Sequence, residues 1–241
     1  MTRWRRLYEL RFRRAFWAAA ILTVLLWVIP FGEWIIYPLS LLGTWVHELG
    51  HGLAALVAGG SFHELTLRPD LSGQAVYSGV GSGGGRALAA AGGLLFPALF
   101  GFAMLTVSAR QSLGNGVLAA LLAVLVLSLV LWVRNPFGIA AGIGIAAAIG
   151  YSMWRLSSRS LYFVVILISL QVGLSGLRNW RYLFTSEART GQPSDTAQIA
   201  QSLGGPVWLW GAILLALNFA LLYLAYRLVQ KRIEAERLRL G

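Results

Sequence analysis

Trp45-Val46-His47-Glu48-Leu49-Gly50-His51-Gly52-Leu53-Ala54 lies inside an almost unbroken apolar run from Trp34 to Gly60. A run of that length can cross a bilayer as a helix. On a helix, His47 and His51 stand one turn apart on the same face, so both imidazoles can reach one metal ion. Glu48 lies beside that face, where a carboxylate can take a proton from metal-bound water. The chain has three His and seven Glu in 241 residues, so chance would produce this pattern on the order of once in a thousand such chains. Ionisable groups inside membrane segments are costly and mark function, and here three of them share five positions.

The rest of the chain has the same apolar character. It is 57% hydrophobic and 12% charged, with a mean hydropathy of +0.68. No water-soluble domain of this length needs so much apolar surface, so the expected class is an all-α polytopic membrane protein. Spans are expected at about Ala15–Ile29, Trp34–Ala58, Ala87–Val107, Val117–Val133, Leu161–Leu174 and Val207–Leu228. Ile139–Tyr151 is apolar but short and glycine-rich, and reads as a thin span or a re-entrant piece. The count is therefore six or seven transmembrane helices. After the metal-motif helix, Phe62-His63-Glu64-Leu65-Thr66-Leu67 alternates apolar and polar. It breaks at Pro69-Asp70 and Ser72-Gly73, and Ala75-Val76-Tyr77 follows, a pattern that predicts a short β-hairpin.

Charge sits at the ends. Six Arg fall between Arg3 and Arg14, and Arg227, Lys231, Arg232, Arg237 and Arg239 follow the start of the last span. Basic clusters that flank spans report topology and contact with anionic headgroups, so the net charge of +11 implies a lipid bilayer as partner and no nucleic acid. The organisation read from this is a basic tail over residues 1–14, one membrane-embedded domain over 15–229, and a basic tail over 230–241. Both tails are expected in the cytoplasm, which requires an even number of crossings and favours six. The first apolar segment ends in Ile29-Pro30-Phe31-Gly32 without a small-x-small cleavage site, and reads as an uncleaved anchor.

Cysteine is absent, so any metal must be held by His, Asp or Glu. A catalytic zinc takes three protein ligands and a water, so a third ligand is needed beside His47 and His51. The only aspartates are Asp70 and Asp195, with His63, Glu64 and Glu187 as further donors. Asp70 lies in a turn-forming Arg-Pro-Asp-Leu-Ser-Gly context, and Asp195 in a helix-capping one. On chemistry alone the two aspartates stand equal.

The run His47 to Leu56 with Gly59-Gly60 resembles the site-2 protease family of intramembrane zinc metalloproteases. Glu64-Leu65-Thr66-Leu67-Arg68-Pro69 and Ala91-Gly92-Gly93-Leu94-Leu95-Phe96-Pro97-Ala98-Leu99-Phe100-Gly101 extend the likeness to a small bacterial-type branch. So do Asn135-Pro136-Phe137-Gly138, Ser194-Asp195 and Leu203-Gly204-Gly205-Pro206. The chain departs from better-known members in having no Asp-Gly pair, and Phe137 stands where their aspartate would be. The resemblance implies a multi-pass protein of a bacterial cell membrane that binds Zn2+ through His47, His51 and Asp195. It further implies hydrolysis of peptide bonds in transmembrane or membrane-proximal protein substrates. Zinc-bound water would be the nucleophile and Glu48 the general base, with Asn135 available to a substrate carbonyl. Competing readings are a metal-binding membrane scaffold or degenerate, non-proteolytic member, a transporter, and a polar cluster that only glues helices together.

Overall fold

Proline and glycine mark several helix boundaries, at Pro30–Gly32, Gly59–Gly60 and Pro136, whereas Pro38 and Pro97 lie inside helices. In the computed structural model, which describes residues 3–108, 113–178, 180–188 and 191–239, α1 spans Arg3–Val28 and α2 spans Gly32–Val57. Between them Phe31 adopts a left-handed φ of 64°, and the two helices are bent by 115° at the break. The rest of the helical body is α3 (Gly84–Ser108), α4 (Gly114–Leu131), α5 (Pro136–Arg155), α6 (Ser158–Gly173) and the short α7 (Ser175–Arg178). A 3-10 helix (Trp180–Phe184), α8 (Asp195–Leu203) and α9 (Val207–Arg239) complete it. Both basic tails continue as helix into their neighbours, and only their outermost residues, 1–2 and 240–241, lie outside the described set.

Among the described residues, α3, α4, α5 and the Val207–Arg232 part of α9 are long and apolar enough to cross a membrane. The bent α1/α2 pair makes a fifth if it is one span, and α6 is apolar but shorter. The described residues thus carry four or five such spans, and the expected count of six or seven is not confirmed. Ile139–Tyr151 is not a short piece. It lies within the unbroken 20-residue α5, about 30 Å long at 1.5 Å per residue. Pro136 at the first turn costs no hydrogen bond, and an apolar medium obliges the glycine-rich backbone to bond to itself.

Close helix contacts rest on missing side chains, as expected where lipid offers no hydrophobic contrast. A β-carbon on Gly50 of α2 would meet the Gly92 carbonyl of α3 at 2.6 Å, and one on Gly92 would meet the Gly50 carbonyl at the same distance. Gly101 of α3 faces the Gly173 backbone of α6 in the same way. Trp45 is 1% exposed, fits against Gly142 of α5, and donates its indole N–H to Ser128 Oγ at 2.8 Å.

The expected hairpin is present. β1 (Ser61–Leu67) pairs antiparallel with β2 (Gly73–Ser78), Leu65 opposite Ala75 and Leu67 opposite Gly73, with a bulge between Phe62 and Glu64. Asp70 closes the turn by accepting from the Ser72 N–H at 3.0 Å and the Ser72 hydroxyl at 2.7 Å. Two side chains of α2 pin that turn to the helix. Tyr37 donates to the Pro69 carbonyl at 2.7 Å, and Thr44 to the Leu71 carbonyl at 3.0 Å. The other edge of β1 is covered too. Leu65 N–H donates to the Trp132 carbonyl at 2.8 Å, and Leu65 and Val133 form a parallel bridge.

Candidate metal centre

α2 presents its motif toward α3, β2 and α8. Glu48 and His51 are buried, and the His47 side chain keeps 25% of its surface exposed. His51 packs where α3 has Gly93, since any β-carbon there would occupy the space of the imidazole ring. On the same helix the Ala89 carbonyl lies 2.8 Å from His51 Nδ1. A carbonyl can only accept, so Nδ1 carries the proton, and Nε2 of the neutral ring is left with its lone pair directed into the site.

The third member arrives from 144 residues downstream (195 − 51). Ser194 takes the N-cap of α8, its hydroxyl oxygen accepting from the Ala197 N–H at 3.1 Å. Its own hydroxyl proton goes to the Thr185 carbonyl at 2.5 Å. Asp195 is therefore the first residue inside the helix and not its cap, so its carboxylate is free to face α2. Asp195 Oδ2 lies 3.2 Å from His47 Nε2, Asp195 Oδ1 lies 3.4 Å from His51 Nε2, and the two Nε2 atoms stand 3.1 Å apart.

These three spacings test whether a metal fits. Ligands at the 2.0–2.1 Å bond lengths of zinc, set tetrahedrally, stand about 3.3 Å from one another. The two Nε2 atoms stand 3.1 Å apart, each faces a different oxygen of the Asp195 carboxylate at 3.2 and 3.4 Å, and one ligand atom from each residue can be chosen within 4.8 Å of the others. Two imidazole lone pairs and a carboxylate converging at that spacing form a donor set suited to zinc. Among the described residues, His47, His51 and Asp195 are the one group of three or more such side chains close enough to share an ion.

Glu48 stands beside the triangle without belonging to it. Its carboxylate accepts a hydrogen bond from the Ala75 N–H of β2. It is also covered by Gly73, whose missing β-carbon would lie 2.6 Å from Glu48 Oε1. From the same strand Tyr77 lays its ring roughly parallel to His51, 6.5 Å between centroids.

Other residues singled out from the sequence are placed elsewhere. Asp70 closes the hairpin turn, and His63 meets Ser78 Oγ at 2.6 Å on the exposed side of the bulge. Glu187 bridges to Pro193 in the loop before α8. Asn135 spends its amide on the backbone of β1. It accepts from the Leu67 N–H at 3.1 Å and donates to the Leu67 carbonyl at 2.6 Å. Tyr182 was not anticipated. Its hydroxyl donates to Asp195 Oδ2 at 3.3 Å and accepts from the Asp195 N–H at 3.4 Å. Burial, and then the negative charge of Asp195, push the Tyr182 phenol above its ordinary pKa, which keeps it a donor. Nothing local in the sequence links Tyr182 to the motif. The Gly92-Gly93 pair was visible as a close-contact signal, but not as clearance for a ring.

The fold and site together describe a multi-pass, helical membrane protein with three side chains that could hold a metal ion and a buried carboxylate beside them. A family model described as Peptidase M50B-like matches residues 17–225. The chain belongs to this family, which lies within the site-2 proteases, and is thus a peptidase by descent. No curated protein and no solved structure matches it.

Proposed function

We propose that the chain is an intramembrane zinc metalloprotease that hydrolyses peptide bonds of transmembrane or membrane-proximal protein substrates. The observation that carries this reading is the Nε2–Nε2–carboxylate triangle of His47, His51 and Asp195 with Glu48 against its edge. A scaffold site needs no unligated carboxylate at that place, whereas hydrolysis needs a proton acceptor there.

When bound by these three side chains, zinc supplies Lewis acidity, acidifying water and polarising a carbonyl. Glu48 accepts the proton of the attacking water on a carboxylate oxygen and passes it to the nitrogen of the departing amine. The Ala75 N–H orients that carboxylate, and Gly73 keeps the approach short. The peptide must be extended to expose its carbonyl. The β2 edge beside Glu48 supports docking by strand addition, because the far edge of β1 is already taken by Trp132–Asn135. The exposed flank of His47 supports water access from one aqueous face. The basic ends support a topology with both termini in the cytoplasm and an even number of crossings.

The test is zinc content and cleavage of a membrane-anchored substrate by the wild type, Glu48→Gln, Asp195→Ala and Asp70→Ala. Glu48→Gln keeps stoichiometric zinc and loses about 10²- to 10⁴-fold in rate, Asp195→Ala loses zinc, and Asp70→Ala keeps it. Full activity in Glu48→Gln removes the mechanism. Zinc binding by a wild type that cleaves no membrane protein would leave the scaffold reading in its place.

A further inference from the structure

Asp195 is an unusual third ligand in its delivery. It comes from a nine-residue helix, too short to span a membrane, while both histidines come from the 26-residue α2. A carboxylate has two rotatable bonds and two equivalent oxygens. In the absence of metal the two imidazoles already attract it at 3.2 and 3.4 Å, and any constraint that holds its orientation independently of their protonation must come from outside the triangle. Among the described residues, the one hydrogen-bonding side chain outside the triangle that touches this carboxylate is Tyr182.

We propose that Tyr182 is the positioning residue of this centre. Its hydroxyl bridges the main chain and side chain of Asp195 and so sets the carboxylate toward His47 and His51 before an ion arrives. Two contacts form the bridge, the donation to Oδ2 at 3.3 Å and the acceptance from the Asp195 N–H at 3.4 Å. The second contact matters, because it ties the hydroxyl to the first turn of α8 and leaves its single proton for the carboxylate. The tyrosine is held in turn. Leu183, its neighbour in the 3-10 helix, is 3% exposed, and the Leu183 carbonyl sits where Gly211 of α9 has no side chain. The Ala89 carbonyl of α3 does the same for His51, at 2.8 Å from Nδ1. Each buried ligand thus has an orienting partner from a different helix, as metal ligands ordinarily do.

This inference rests on the reading of the triangle as a zinc site and goes beyond it in assigning the residue that prepares the site. The experiment measures zinc affinity by chelator competition, and the absorption spectrum of the cobalt(II)-loaded protein, for full-length wild type, Tyr182→Phe and Leu183→Ala. Tyr182→Phe removes one oxygen. It is expected to raise the zinc Kd by about 10- to 100-fold and to alter the cobalt spectrum, with helicity unchanged. Leu183→Ala loosens the same 3-10 helix without touching the hydroxyl and keeps Kd within about threefold, well short of that loss. An unchanged Kd in Tyr182→Phe, or equal losses in both variants, overturns the proposal. A wild type that binds no zinc instead overturns the metal reading itself. Should the phenylalanine variant not fold, 3-fluorotyrosine at position 182 keeps the ring and its O–H in place, adds one small ring fluorine and makes the hydroxyl a stronger donor. Its Kd must then shift, and an unchanged value overturns the proposal equally.

Discussion

Two glycines flank the motif, and each would damage a different part of the chemistry if given a side chain. A β-carbon at Gly73 would press on Glu48, and one at Gly93 would press on the His51 ring. Neither glycine has a left-handed φ, so alanine carries no backbone strain at either place and its effect is steric. Gly73→Ala is therefore expected to keep zinc and lose cleavage, because it displaces only the proton acceptor. Gly93→Ala is expected to lose zinc, and cleavage with it. Zinc content and rate measured side by side decide this. The same outcome for both variants would mean that the two surfaces are not separable.

Among the elements, the hairpin acts as a wedge between α2 and the chain after α4. Its turn is held by Tyr37 and Thr44, and the end of β1 by the Asn135 amide, which imitates a strand by both accepting from and donating to Leu67. Asn135→Ala leaves the backbone groups of a buried leucine unpaired, a cost of about 1–3 kcal/mol. The expected outcome is a lower Tm and slower cleavage with zinc retained, since Asn135 lies outside the metal triangle. A Tm equal to wild type with a lost rate would instead return Asn135 to the role of substrate donor that the resemblance implied. α8 is the other decisive element. Serine caps it, and this hands the following aspartate to the centre.

At the scale of the whole molecule, the charge pattern and the helices make one further prediction. Six Arg precede Phe16 and a second basic group closes α9, so reporters fused to either end are expected to be active in the cytoplasm. A reporter exported at one end only would require an odd number of crossings. α6, a 16-residue apolar helix, is where such a count would change, since it is about 24 Å long against a hydrocarbon core of about 30 Å.

What the linear order of residues decides by itself is whatever depends on neighbours along the chain. Helix periodicity brings His47 and His51 to one face, composition demands a bilayer, and alternation with a turn at Pro69–Gly73 makes a hairpin. The full length of α5 was less legible, because glycine lowers helical propensity in water but not the need for internal hydrogen bonds in lipid. The choice between Asp70 and Asp195 could not be made from local context, since both contexts favour structural roles. It depends on which carboxylate the packing of α8 against α3 carries to α2. Tyr182, Gly73 and Gly93 were hidden for the same reason: an orienting hydroxyl and the clearance for a ring are distances between elements far apart in sequence. Only the folded chain brings them within reach of each other.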